Sequence, residues 1–220
     1  MRGTRRRKTL IVLALVACVL ATACDTAWND MTPWSYGPPC GRPTWYVIHN
    51  GDFTPDEMAD IHDAIREVAT WSAVDIRFAG VVDWRNGSPQ QAADVVSVER
   101  RDAVPGAPFV SYGNPNVVNG VYTRGVVFIG TTMHPPTRVP PGYGTGQTFF
   151  GLVAHEASHA FVGIGDMYNQ GDGHPGLLMG NGRNTMSNFA AGDLIGLINK
   201  GCRTPEDKAA RTESLRRTYG

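Results

Sequence analysis

The sequence predicts an α/β (α+β) domain, and two stretches carry that reading. Residues 44–79 run strand, helix, strand, at a spacing that calls for a right-handed crossover between parallel strands. Residues 148–162 form an apolar run carrying His155-Glu156-Ala157-Ser158-His159. Positions four apart on a helix lie one above the other, so the two histidines share a face.

Thr44 to His49 reads as the first strand. Thr54-Pro55-Asp56-Glu57 supplies a hydroxyl N-cap, a proline at N1 and an acid at N3. Met58, Ile61, Ile65 and Val68 then recur at helical spacing, and the helix is expected to end near Trp71. Val74, Ile76 and Phe78 alternate with Asp75 and Arg77, the pattern of a half-buried strand. Residues 80–91 read as loop and 93–98 as a third strand. Residues 105–120, rich in Gly, Pro and Asn, read as loop with short extended pieces. Val121-Tyr122 and Gly125 to Gly130 form one or two further strands, and residues 130–146 are loop. Gly163 and Gly165 suit a left-handed stop and a sharp turn after the histidine helix, bringing Asp166 back toward the histidines. A second helix is expected over 187–198.

The ends read differently. Residues 1–23 have the form of an export signal: a charged start with Arg2, Arg5, Arg6, Arg7 and Lys8, an apolar run from Leu10 to Leu20, then Ala21-Thr22-Ala23. Cleavage after Ala23 suits an ordinary signal peptidase. Leu20-Ala21-Thr22-Ala23-Cys24 also resembles a loose bacterial lipobox, which would place lipid on Cys24. The product is therefore secreted, or lipid-anchored at the outer face of a bacterial cell membrane. Residues 24–39 read as a tether, 40–202 as the main folded domain, and 203–220 as a charged tail with a short helix.

Cys18 leaves with the signal. If Cys24 carries lipid, Cys40 and Cys202 remain as one disulfide pair for an oxidising compartment. Removing the five basic residues of the signal from 20 Lys and Arg leaves 15 against 20 Asp and Glu, a net charge near −5. No basic patch stands out, so nucleic acid is not an expected partner.

His-Glu-x-x-His on a helix lets two imidazoles reach one zinc ion while the glutamate holds the attacking water. Taken with Gly163, Asp166 and Met179, the motif resembles that of the metzincins, the zinc endopeptidases that include matrixins and snapalysins. His155, Glu156 and His159 match directly; Gly163 looks like the family glycine, Asp166 like the third ligand and Met179 like the methionine beneath the metal. Asp166-Met167-Tyr168 looks most like snapalysin, and the helix containing Asp193 is similar to the last matrixin helix. The resemblance covers roughly residues 40–202 and implies a twisted, mostly parallel sheet with a crossover helix, an active-site helix, a methionine turn and a C-terminal helix.

It also implies a zinc-dependent endopeptidase, Glu156 being the general base and a protein or peptide the substrate of a monomeric enzyme. Tyr168 is the candidate for transition-state hydrogen bonding, and Asn169 and Asp172 for a structural calcium. One departure stands out. Three residues separate His159 from Gly163 where the family has two, so Asp166 falls one position late. A bulge would absorb the shift; His174 is the alternative third ligand. Pro38-Pro39-Cys40-Gly41-Arg42-Pro43 resembles the matrixin cysteine switch, which offers Cys40 a second role besides the disulfide. The extra residue also leaves open a binding lipoprotein on the same scaffold, with weak or no catalysis.

Overall fold

The computed structural model describes residues 37–83, 94–102, 111–118, 121–137, 148–165, 178–179 and 188–219. The export signal and most of the tether lie outside them. Strand β1 (Thr44–His49) leads into helix α1 (Pro55–Ser72). Thr54 caps α1 reciprocally: its Oγ1 accepts from the Glu57 N–H, and the Glu57 carboxylate accepts from the Thr54 N–H. Ile61, Ala64, Ile65 and Val68 are buried at helical spacing, in one core with Tyr46 and Ile48 of β1. The chain returns as β2 (Ile76–Val82), parallel to β1 as the sequence predicts. After β3 (Val95–Arg101) come β4 (Ser111–Val118) and β5 (Val121–Gly130). The sheet order is β2-β1-β3-β5-β4, parallel throughout except for β4, which runs antiparallel to β5.

Helix α2 (Phe149–Ala157) continues into a π turn, Ser158–Val162, and helices α3 (Ala191–Lys200) and α4 (Pro205–Tyr219) complete the described chain. Phe149, Phe150 and Phe161 are fully buried, which explains the apolar run around the histidines. Expectations are corrected at three points, and the choice left open over 121–130 falls to a single strand. The stretch 111–118 is a full edge strand, because at the rim of a sheet a proline such as Pro115 gives up only an outward N–H. β2 extends to Val82 with a bulge opposite Tyr46/Val47, and as an edge strand it leaves Phe78 43% exposed, not buried. Helix α3 starts at Ala191, four residues later than expected. Helix α4 is 15 residues long and buries Leu215 in the common core.

Two devices pin the layers together. Cys40 and Cys202 form a disulfide with Cα atoms 5.3 Å apart, closing a sequence separation of 162 residues. It ties the approach to β1 to the end of α3, beside the Cys202 N–H, which donates to Ser72 O. Cys40 is thereby committed to the disulfide role. At the other end of the sheet Arg100 is buried between elements. It donates to Glu57 Oε1 at 2.6 Å, Met133 O at 2.7 Å and Asp52 O at 3.1 Å. Its guanidinium carbon lies 5.1 Å from the Phe53 ring centre and 5.6 Å from that of Phe149, the first residue of α2.

The buried Tyr46 hydroxyl lies 2.6 Å from His62 Nδ1. Burial pushes the Tyr46 phenol up to about 12, with the Arg66 charge opposing it. Desolvation, then the same Arg66 charge, pulls His62 below its ordinary 6.5. Neutral His62 therefore accepts the tyrosine proton. A folded-state pKa below the unfolded one means stability is complete above pH 6.5 and falls as the pH drops through the lowered folded value. His62→Gln should flatten that acid limb in urea midpoints measured against pH. Replacing Cys40 and Cys202 by serine should cost up to about 5 kcal/mol, the loop-entropy value for so long a closure, measured by urea unfolding against the oxidised protein.

Candidate metal centre

Thr148 starts α2 by accepting the Gly151 N–H on its Oγ1 at 3.0 Å. The helix runs in regular turns until Ser158, whose hydroxyl donates back to Ala154 O at 2.7 Å. Such a bond competes for a carbonyl of the helix ladder and loosens it. From Ser158 the chain widens into the π turn, and Gly163 closes it in the left-handed region at φ 71°, its N–H shared between His159 O and Ser158 O. A π turn accommodates one residue more than an α turn. The bulge needed to absorb the extra residue between His159 and Gly163 is therefore present, and it lies just where the second histidine sits.

Glu156 and His159 are buried and His155 is half-buried. The ligand atoms of all three lie within 4.8 Å of one another, a group able to hold a metal ion. The imidazole planes meet edge to face at 86°, with the two Nε2 atoms 3.0 Å apart. Each Nδ1 faces a backbone carbonyl, His155 at Leu178 O (2.7 Å) and His159 at Ile164 O. A carbonyl only accepts, so each Nδ1 carries the proton and each Nε2 presents a lone pair. Two lone pairs facing at that separation repel unless a cation lies between them. Tetrahedral ligands about 2.05 Å from zinc sit roughly 3.3 Å apart. The pair fits zinc.

The carbonyl that orients His155 is itself fixed. Asp193, fully buried in the first turn of α3, accepts from Leu178 N at 2.8 Å and Met179 N at 3.0 Å. Its Oδ2 also accepts from Ala190 N at 2.8 Å. Burial pushes the Asp193 carboxyl up to about 6, against the pull of the Met179, Leu178 and Ala190 N–H groups and of the nearby His155. Above that value a carboxylate holds both N–H groups of the turn, and the turn holds the ring. Met179 is fully buried beside it.

Of the residues singled out in the sequence, His155, Glu156 and His159 lie together, and Met179 follows Leu178, whose carbonyl faces His155. Asp166, Tyr168, Asn169, Asp172 and His174 lie outside the described residues, as does Cys24. The part Asp193 plays in fixing the peptide whose carbonyl faces His155 was not read from the sequence. Its signal was a lone acid inside the apolar run Gly192 to Ile198, a placement that needs several donors to be tolerable.

No family model matches the chain, and no curated protein is similar to it in sequence. Among solved structures it is similar to archaemetzincin from Methanopyrus kandleri, with 15% identity and a TM-score of 0.40 over 82% of this chain and 97% of that one. It is also similar to metalloproteinase-II from Bacteroides fragilis, with 10% identity and a TM-score of 0.39, covering 87% of this chain and 60% of that chain.

Asp193→Asn turns an NH2 group toward backbone donors and should free the Leu178 carbonyl from its register. The expected result is about 10- to 100-fold weaker zinc binding, read by competition with a chromogenic chelator, in a protein whose far-ultraviolet circular dichroism is unchanged.

Proposed function

We propose that this chain is an exported zinc-dependent endopeptidase acting on protein or peptide substrates. The observation that carries the reading is the pair of Nε2 lone pairs 3.0 Å apart, with the Glu156 carboxylate beside them. His155 and His159 would hold the ion, and Asp166 is proposed as the third ligand, with His174 as its alternative. Zinc, when bound, supplies Lewis acidity that polarises a scissile carbonyl and lowers the pKa of a water. Glu156 precedes Ser158 on the regular helix, so its carboxylate sits next to the ligand pair without having to be a ligand. There it takes a proton from the attacking water and returns it to the leaving amine. Tyr168 is proposed to donate to the developing oxyanion.

Met179 is proposed as an apolar floor for the pair; it and Leu178 are buried, and their N–H groups are satisfied by Asp193. The export signal over residues 1–23 and the lipid site at Cys24 are part of the proposal, as is the monomeric state. The binding-lipoprotein alternative drew on the extra residue before Gly163. Because the π turn takes that residue up while the two Nε2 atoms stay convergent, the geometry favours catalysis.

Glu156→Ala should keep about one zinc per chain after dialysis and lose at least about 100-fold in cleavage of a denatured protein substrate. Metal content and gel-based cleavage together decide this; unchanged cleavage would remove Glu156 from its role.

A further inference from the structure

Strand β4 meets the site helix with no side chain between the two backbones at Gly113. A Cβ there would fall 1.8 Å from the Glu156 carbonyl oxygen, 2.6 Å from its carbonyl carbon and 2.9 Å from His159 Cβ. Gly113 is not a glycine for the sake of backbone freedom. Among the described residues the glycines at positive φ are Gly41, Gly51, Gly80 and Gly163; Gly113 is not one of them, so other residues could adopt its conformation. Space alone excludes them. Gly113 is buried and paired with Val127 of β5, which fixes it to the sheet. The contact falls on Glu156 and His159, just where the helix loosens into its π turn.

We infer that Gly113 is a positioning residue for the metal centre: it lets β4 lie backbone-to-backbone on the Glu156–His159 segment and so sets where both side chains stand. The kinetic consequence rests on the peptidase reading; the effect on metal binding does not. In the same segment Ala160, Phe161 and Ile164 are fully buried in the close-packed core, which leaves little room to yield. A methyl group at 113 must therefore drive β4 outward, or Glu156 and His159 out of line, by roughly 1.5 Å to restore ordinary carbon–oxygen contact.

Gly201 offers a matched control. A Cβ there would lie 1.9 Å from Ser72 O, an equal backbone clash at the end of α3 remote from Asp193. Gly113→Ala should lower kcat/KM by about 100-fold and weaken zinc binding about tenfold or more, measured with zinc alone by chelator competition. Gly201→Ala should lose thermal stability while its folded protein keeps wild-type kcat/KM and zinc affinity. Wild-type values of both quantities in Gly113→Ala overturn the inference. If the wild-type protein hydrolyses no peptide, the peptidase reading falls, and zinc affinity alone decides: weakened in Gly113→Ala it upholds the positioning role, unchanged it ends it. Should either variant fail to fold, hydrogen exchange on the wild-type protein serves. Added zinc must then slow exchange in residues 111–117 together with the site helix, and an unresponsive β4 overturns the inference.

Discussion

Two imidazole nitrogens with facing lone pairs at 3.0 Å repel each other, and the fold must hold them there. Each ring is held from behind, through its Nδ1, by a carbonyl that has no other freedom. Ile164 O is placed by the π turn and its glycine stop. Leu178 O belongs to a peptide clamped by the Asp193 carboxylate. Burying that carboxylate costs several kcal/mol, offset by three hydrogen bonds to a charged acceptor at about 1.5–3 kcal/mol each. The site is thus preorganised for a cation.

The rest of the architecture keeps that arrangement from relaxing. Arg100 ties β3, the start of α1 and the 131–137 connection to the first residue of the site helix. Leaving either Glu57 or Arg100 unpaired would strand a buried charge, which gives this junction a high cost of opening. At the opposite end the disulfide closes the approach to β1 onto the end of α3. Between them every residue of the apolar helix is buried except His155, which is half-buried.

Much of this was legible in the chain. The capping box at Thr54, the spacing of Ile61, Ile65 and Val68, and His-Glu-x-x-His each act over a few residues, where local geometry decides the outcome. Cysteine counting paired Cys40 with Cys202 because few partners remained. Strand β4 was not legible, since Gly113 and Pro115 punctuate a loop in most settings and a strand only at a sheet edge. The exposure of Phe78 was hidden for the same reason: alternation shows that one face is buried but not whether a strand is central or at the rim.

The sequence by itself determined the strand-helix-strand unit, the apolar helix and the identity of its chemical groups, because helix periodicity places His155 and His159 on one face whatever the surroundings. Only the tertiary structure decided that an extra residue is taken up as a π turn, that Asp193 reaches back to Leu178, and that Gly113 lets β4 touch Glu156. The last two depend on segments 15 and 43 residues apart meeting at contact distance. No local propensity encodes such a meeting; it is set by how the sheet, the helix and α3 pack around one buried locus.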